Sequence, residues 1–458
     1  MQAGFGVMLM VMLIQGSTSD LLDFVDSTSY WKAQQVEMTV DALAGCVREA
    51  PAADSKSPKA GEVRRLMAIR ALGELKQKEA LVHLKPLVNE TAPFVADYAR
   101  QAIATIEGTP YRRGTAERQK LASDVDLLPA GCGVVAQTTI SGGGPVSYDA
   151  MFEQLKGMQP GQDPARFDEQ RRRVTDALIE LTSALGNVRL EAVTLGVAAD
   201  VGNQAGFVVL IARGTYDAAA ARQALKADKR VETETVEDVE VYRRDREVAM
   251  VCPSNDRFIL FAGPGPEQMP LEQMLGALKK GKGGVDTDED IAYLLGAVDR
   301  TKRTWAVMKM TDAYKNAQVF APFDSVTLTA DDKEDETFFT LVARGQNADE
   351  IGVAVDKFQL GRQQALDAMR KAGPGRARVL PKGIVDFVDS VQVVQEGPQV
   401  TVTAVFKGRT LSDLGTMPLM FLGQRLERQA TLRKEAQRET AVPERPEPAP
   451  QPEPVPEQ

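Results

Sequence analysis

The spacing of apolar residues divides the chain into an α-helical N-terminal part and a β-rich remainder. Between residues 29 and 108, apolar side chains recur every three or four positions, which is the spacing of one helix face. Gly108 and Pro110 follow this stretch and predict its end, since neither residue favours a continuing helix. The helices are predicted over residues 30–50, 62–75, 78–88 and 93–107.

The residues of these helices resemble a known repeat. Residues 63–75 (VRRLMAIRALGEL) are similar to the inner helix and turn of a HEAT repeat of the short bacterial kind, and 79–88 and 94–103 are similar to the outer and inner helices that follow. The resemblance covers residues 30–108. It implies a short solenoid whose surface binds another protein, because stacked repeats bury their apolar stripes against one another. The alternative is a helical cap or spacer.

The remainder of the chain contains an internal repeat. A Val-Thr-Leu triplet precedes an apolar run that ends in Ala-Arg-Gly, and a helical pattern follows. From the first residue of Val-Thr-Leu to the Ala of Ala-Arg-Gly there are 19 positions in one copy and 17 in the other. Each copy therefore predicts an antiparallel hairpin followed by a helix that covers the sheet. The three parts lie at 193–195, 212–214 and 217–225 in the first copy, and at 326–328, 343–345 and 348–369 in the second.

β-Branched and aromatic runs bounded by turn residues predict the other strands. These lie at 134–140, 231–236, 239–242, 247–251, 258–261, 305–310, 384–394 and 400–406. The predicted fold class is α+β: a short N-terminal α-helical HEAT-like solenoid, then a duplicated antiparallel-sheet region with helices on one face. The two copies are expected to form either two sheet layers or one continuous sheet.

These patterns predict seven segments. They are a signal peptide at 1–19, HEAT-like helical repeats at 30–108, a linker at 109–126, α+β copy one at 127–303, copy two at 304–410, a C-terminal helix at 411–438, and a disordered tail at 439–458. The tail is rich in Pro and Glu, and prolines at alternate positions exclude both helix and sheet ladder.

The N-terminus allows two interpretations. Residues 5–14 are apolar, too few to span a bilayer but suited to the core of a signal peptide, and Ser17 and Ser19 could serve cleavage. Export would place the protein in the periplasm or outside the cell. However, no Lys or Arg precedes Lys32, so the cationic start of a signal is missing. The alternative is a buried or interfacial helix in a cytoplasmic protein.

The composition argues against several classes of function. The chain carries 55 Lys and Arg against 64 Asp and Glu, a net charge of −9, which is unlike a dedicated nucleic-acid binder. One histidine, His83, and three scattered cysteines disfavour histidine metal clusters and Cys-rich zinc sites. We therefore expect no catalytic, metal or cofactor residues, and no integral membrane span because an 18-residue apolar run is absent.

Three features could nevertheless carry chemistry or an anchor. The acids of 286–290 could bind Ca²⁺, but the Gly and Glu that close an EF-hand loop are missing, so a helix N-terminus is the preferred interpretation. Arg213 and Arg344 recur at equivalent repeat positions, which indicates a shared role in closing a strand end against a carboxylate, or a duplicated anion site. Cys46 ends a lipobox-like Leu-Ala-Gly-Cys, yet the preceding residues favour a packed helix.

Three functional hypotheses remain. The preferred one is a non-enzymatic protein-binding or scaffold protein of the bacterial cell envelope, with a protein partner held by the helical repeats. The second is a carrier of a small-molecule or lipid ligand in the duplicated α+β region. The third and least favoured is a hydrolase that uses two carboxylates, for which the sequence shows no paired residues.

Overall fold

A computed structural model of the chain provides the structure. It describes residues 20–48, 57, 59–92, 94–111, 118–140, 172, 175–176, 178–180, 182–198, 207–244, 248–262, 271–281, 283–311, 315, 321–333, 336–371 and 382–407. The predicted signal peptide and the predicted segments at 411–438 and 439–458 lie outside these residues.

Helices occupy the N-terminal part and three later stretches. They are α1 Ser27–Ala33, α2 Val40–Arg48, α3 Ala60–Glu74, α4 Leu81–Leu84, α5 Val95–Glu107, α6 Arg118–Val125, α7 Ala218–Ala227, α8 Leu271–Lys280, α9 Glu289–Ala297, α10 Ala348–Lys371 and α11 Lys382–Ser390. Further helical residues occur between 172 and 185. Single 3₁₀ turns occur at Leu21–Phe24, Lys78–Ala80, Lys85–Asn89 and Val285–Thr287.

Within the described residues, the strands form one antiparallel sheet of 12 strands. They are β1 Cys132–Thr139, β2 Arg189–Ala198, β3 Val208–Thr215, β4 Val231–Val236, β5 Val239–Arg244, β6 Val248–Ser254, β7 Arg257–Ala262, β8 Thr304–Lys309, β9 Phe323–Lys333, β10 Glu336–Gly345, β11 Gln392–Glu396 and β12 Gln399–Lys407. Their order across the sheet is β11-β12-β10-β9-β8-β1-β2-β3-β7-β6-β5-β4. The sheet is therefore continuous, as one of the two expectations had it.

Two predicted elements are wrong. The single helix predicted over 30–50 is interrupted: α1 ends at Ala33, Gln35 has a positive φ of 55°, and α2 begins only at Val40. The strand predicted over 384–394 is instead α11 followed by β11. Its β-branched residues suggested a strand, but the Phe387 ring packs on the rings of Phe339 and Phe406. Burial against the sheet thus outweighs local β propensity.

The sheet has two halves that meet at its centre. We call β1–β7 the first half and β8–β12 the second half. Strands β1 and β8 pair antiparallel, with Ala136 opposite Ala306. On each side of this pair the sheet continues with one hairpin, β2–β3 or β9–β10, and then with a second hairpin, β6–β7 or β11–β12, whose later strand pairs with the first hairpin. Each half therefore has the same strand order outward from the centre, and the first half adds the outer hairpin β4–β5.

The two faces of the sheet are covered differently. We call the side that carries Val193 face A and the side that carries Ile211 face B. Face A of the first half shares a core with the N-terminal helices, including Trp31 and Leu66. Face B of the first half packs against α8 and α9. The expectation of helices on one face only is therefore wrong for this half, because the chain between β7 and β8 returns across the other side.

In the second half, face A packs against α10. Val326, Ala343 and Val400 share a small core with Ile351 of that helix. These residues lie opposite one another in the register, Ala343 against both Val326 and Val400. The core of the second half is thus much smaller than either core of the first half.

Candidate functional site

The N-terminal helices enclose a groove of about 670 Å³. Its walls come from α2, from the first turns of α3, and from the stretch between α4 and the start of α5. The apolar residues of α3 face both neighbouring helices, because Leu66, Met67 and Ile69 are all buried within one turn. Gly61, Glu62 and Arg65 form the wall that α3 contributes to the groove.

The floor of the groove is apolar and its rim is open to solvent. Val47, Leu87 and Val95 are buried there, and each belongs to the core of the N-terminal helices. Val82 stands on the rim and is 68% exposed. A valine lying off the buried side of its helix is a signal that sequence reasoning missed, since the buried residue of that helix is Leu84. An apolar floor with an exposed apolar rim is typical of a binding groove.

Charged side chains of both signs border the groove. Arg65 forms a salt bridge with Glu90 at 2.6 Å, and its Nε donates to the Val47 carbonyl at 3.1 Å. Arg48 Nε donates to the Ala44 carbonyl at 3.2 Å. The bonds of Arg65 tie α3 to α2 and to Glu90, which directly follows the 3₁₀ turn Lys85–Asn89, whereas the Arg48 bond lies within α2. The border is therefore held in a fixed arrangement, which suits recognition better than a mobile surface.

His83 lines the groove, half-buried. Among the residues that the structure describes, no group of three or more His, Cys, Asp or Glu side chains could hold a metal ion. In the groove, His83 therefore offers a hydrogen-bonding ring beside apolar residues.

A buried polar cluster joins the N-terminal helices to the sheet. Arg189, the first residue of β2, bonds to Asp20 at 2.8 Å and to Asp97 of α5 at 2.5 Å. The Asn187 amide donates to the same Asp20 at 3.1 Å. The Arg189 guanidinium also lies over the Phe94 ring. Because one guanidinium holds carboxylates from two separate parts of the chain, this cluster fixes the helices on face A.

The Asp97 carboxylate in this cluster stays ionised. Burial alone would raise its pKa, but hydrogen bonds and the charge of Arg189, with smaller effects from Tyr111 and Arg100, lower it below the usual value. An ionised carboxylate accepts hydrogen bonds but has no proton to donate. The cluster therefore has the properties of a structural junction, and Asp97 is not suited to general-acid chemistry.

Arg213 closes the end of a strand against carboxylates, as its recurrence in the repeat predicts. Its buried guanidinium bonds to Asp124 of α6 at 2.5 Å and to Asp256 in the β6–β7 turn at 2.9 Å. Burial would lower the pKa of Arg213, but the bonds to Asp124 and the charges of both carboxylates raise it above the usual value. The end of β3 is thus closed against carboxylates, and the segment predicted as a linker contains a helix that takes part in this packing.

Arg344 ends β10 at the corresponding place but has neutral partners. Its Nε donates to the Gln399 side-chain oxygen at 2.9 Å and its Nη1 donates to the Tyr293 hydroxyl at 3.1 Å. The predicted carboxylate is found for Arg213, whereas the bonds described for Arg344 go to an amide and a hydroxyl. The two arginines lie in different halves of the sheet and do not form a joint anion site.

The remaining candidates have structural roles. Asp288 caps α9, accepting from the amides of Asp290 and Ile291, as the N-terminus interpretation predicts. Lys309 forms salt bridges with both Asp288 and Asp290. Cys46 is buried in α2, so the packed-helix interpretation of the lipobox-like sequence is confirmed. In the described part of the chain, no helix is long and apolar enough to cross a membrane.

Comparison with known proteins identifies no relative by sequence. No family model matches the chain, and no curated protein matches it. Solved crystal forms III and I of TP0453 are similar to 65% and 64% of this chain over 97% and 96% of their own length, at 10% and 11% identity and a TM-score of 0.35 each. Crystal form IV gives 0.34 at 10% identity. Likenesses this weak carry no argument about fold or function.

Proposed function

We propose that the protein is a non-enzymatic binding or scaffold protein, and that the groove of its N-terminal helices holds a segment of a protein partner. The carrying observation is the groove itself: an apolar floor of Val47, Leu87 and Val95 with Val82 exposed on the rim. The arginine and glutamate side chains on the border would orient the bound segment through polar contacts. The apolar floor would supply most of the binding free energy.

The HEAT-like nature of residues 30–108 is part of this proposal. Packing of α3 against both α2 and α5 supports it, as does the shared core of these helices. Residues 5–14 support a place in the cell envelope, because their length and composition suit an export signal. The groove lies in the helices and not between helices and sheet, where a ligand carrier of the second hypothesis would bind.

Photo-crosslinking in the cells that make the protein tests the groove. A photoreactive residue replaces Val82 on the rim, and in the control it replaces Glu107, which is exposed at the end of α5. We expect one defined protein adduct from position 82 and none from position 107. Ala92→Trp, which fills the exposed end of the groove, should remove the adduct, whereas Ala33→Trp, an exposed position outside the groove, should not. An adduct that survives Ala92→Trp would refute the proposal.

We also propose that the two halves of the sheet are copies of one unit. The register supports this, because Val193 lies opposite Ala212 and Val326 lies opposite Ala343. The Gly214 amide donates to the Asp256 carbonyl at 3.0 Å, and the Gly345 amide donates to the Pro398 carbonyl at the same distance. The two glycines of the Ala-Arg-Gly triplets therefore make equivalent backbone bonds to equivalent hairpin turns.

The contacts around these glycines agree with a duplication. A Cβ atom added at Gly214 would lie 1.8 Å from the Arg189 carbonyl oxygen, and one at Gly345 would lie 2.0 Å from that of Pro322. Arg189 begins β2 and Pro322 immediately precedes β9, so the approaching carbonyls also come from corresponding places. Both glycines are required where two strands come too close for any side chain.

A further inference from the structure

The charged side chains that line the groove do not balance one another. In the described part of the chain they are two carboxylates and two guanidinium groups. Glu90 is paired with Arg65 at 2.6 Å, and Glu62 is paired with Lys59 at 3.3 Å. Each carboxylate of the groove therefore already has a cation of the same protein beside it, whereas the second guanidinium, that of Arg48, is left over.

Arg48 is the last residue of α2, and its side chain is exposed. Its Nε donates to the Ala44 carbonyl one turn earlier, which leaves the two Nη atoms. Among the residues that the structure describes, no carboxylate forms a salt bridge with this guanidinium. A guanidinium is a planar group whose donors match the two oxygens of a carboxylate. The groove thus combines an apolar floor with one unmatched cation on its border.

The walls of the groove are helical, so they offer few backbone groups to a partner. Near the end of α2, where helix carbonyls lack an amide partner, the Val47 carbonyl accepts from Arg65 Nε. In the 3₁₀ turn, the Leu87 carbonyl accepts from the Glu90 amide at 3.1 Å. An extended segment binds best along a row of free backbone groups, such as a strand edge provides, whereas a helix satisfies its own backbone. The groove therefore favours a helical segment.

We propose that the partner segment is an amphipathic helix that carries an Asp or Glu side chain opposite Arg48. This inference rests on the proposed function and names the kind of segment that the groove holds. The apolar side of the helix lies on the floor of Val47, Leu87 and Val95, and the Arg48 guanidinium pairs with the carboxylate on the border. A charge pair on the border of an interface contributes mainly to specificity and to the rate of association. The acidic side chain therefore fixes the direction in which the helix lies.

Charge reversal at Arg48 tests the acidic side chain. The readout is the adduct that a photoreactive residue in place of Val82 forms in the cells that make the protein. Arg48→Glu should lower the adduct yield at least about tenfold, because it replaces attraction by repulsion. Arg48→Lys keeps the charge and should stay within about threefold of the unchanged protein. Lys32→Glu is the matched control, since it makes the same charge change at an exposed position of α1 outside the groove, and it should leave the yield unchanged.

Mass spectrometry of the adduct identifies the partner segment and allows a charge swap. We expect apolar residues three and four positions apart in this segment, with an Asp or Glu at its border. Replacing that acid by Arg in the partner should restore the adduct of Arg48→Glu to within about threefold of the original yield. Because the swap changes only the partner, a restored adduct also shows that Arg48→Glu still folds.

Proline substitution in the mapped segment tests its helical conformation. A proline on the outer side, in the middle of the segment, removes a helix hydrogen bond and should remove the adduct. An alanine at the same position keeps the helix and should leave the adduct in place. An adduct that tolerates the proline would overturn the helical assignment.

The outcomes separate this inference from the proposed function. An adduct that Ala92→Trp removes but Arg48→Glu leaves unchanged would overturn the inference, while the proposed function would stand. The absence of any defined adduct at position 82 in the unchanged protein would refute the proposed function and the inference with it. The inference would also be overturned by a mapped segment without an acidic residue, by a loss that the charge swap does not restore, by an adduct between two copies of this chain, or by a cross-link within one chain.

Discussion

The two halves of the sheet share a backbone frame but not a solvent environment. Both follow the same strand order, and both place a glycine against an approaching carbonyl at the end of the third strand. The first half is buried on both faces, between the N-terminal helices on face A and α8 with α9 on face B. The comparison teaches that the backbone and the side chains of a sheet are constrained separately. The strand order and the glycines are the same in both halves because the backbone leaves no space for other residues there, whereas the side chains on each face differ with the elements that cover that face.

The arginines at the ends of β3 and β10 illustrate this separation. Arg213 is buried under α6, and its charge is matched by Asp124 and Asp256. In the second half, the position of Asp256 is taken by Pro398, and Arg344 bonds to an amide and a hydroxyl. A buried guanidinium requires a carboxylate, whereas a hydrated one does not.

The largest expected effect is the loss of the buried ion pair. Asp124→Ala leaves the buried Arg213 beside the half-buried Arg257, since both arginines bond to Asp124. We expect the free energy of unfolding to fall by about 3–5 kcal/mol. The matched change in the second half, Tyr293→Phe, removes an exposed partner of Arg344 and should cost less than about 1 kcal/mol. Urea denaturation of both variants measures the difference, and equal losses would contradict the comparison.

The next effect should be equal in the two halves. Gly214→Ala and Gly345→Ala each force a methyl group against a backbone carbonyl. We expect each to cost about 1–3 kcal/mol or more, because the strands must move apart. Gly361→Ala is the control, since it lies in α10 with open space around it and should stabilise by up to about 1 kcal/mol. Thermal unfolding compares the three, and a neutral Gly345→Ala would show that the frames differ.

A swap of equivalent residues should distinguish the two environments of face B. Val209→Thr places a hydroxyl in the buried core of the first half, at a cost of about 1–3 kcal/mol. The reverse change in the second half, Thr340→Val, should alter the free energy of unfolding by less than about 0.5 kcal/mol, as for a surface substitution. Chemical denaturation provides both values. A similar loss for both would mean that face B is equally buried throughout.

The smallest effect concerns pH. Burial would raise the pKa of Asp256, but the Ser254 hydroxyl, Arg213 and Arg257 lower it below the usual value of an aspartate. A lowered folded-state pKa stabilises above the unfolded value, and this contribution is lost as pH falls below about 4 through the folded value. Because Asp256 is 57% exposed, solvent screening limits the contribution to well under about 1 kcal/mol.

The pH effect is measured by comparing Asp256→Asn with the unchanged protein. We expect the variant to be slightly less stable at pH 7 and to match the unchanged protein near pH 2.5, when urea midpoints are followed across this range. A difference that persists unchanged at low pH would assign the loss to packing and not to charge. The equivalent residue of the second half, Pro398, offers no titrating group to compare.

Much of the sheet could be predicted from the sequence. The strand at 231–236 has the predicted bounds, and both Ala-Arg-Gly triplets end the strands they were expected to end. The alternation of apolar and polar residues along a strand is a local signal, so it can be recognised without knowledge of the rest of the chain. The strand predicted over 384–394 failed because its apolar residues fit either period, and only packing of Phe387 on the sheet decides for a helix.

The groove could not be predicted in the same way. The helices at 62–75 and 93–107 were foreseen, yet the groove is formed by parts of the chain about 50 residues apart, from Ala44 to Val95. Sequence periodicity identifies the buried stripe of a helix but not the distance between two stripes. Of the residues that line the groove, Val82 alone could have indicated a binding surface, because it is an apolar residue outside the buried side of its helix.

By itself, the sequence determined most of the strands, the glycines at the strand ends and the recurrence of the two arginines, because these depend on alternation and on backbone sterics within a few residues. The tertiary structure decided which faces are covered, which arginine is neutralised, and where the helices leave a groove. Those features depend on which distant segments meet, and a segment that covers one half of the sheet is not encoded in the strands that it covers.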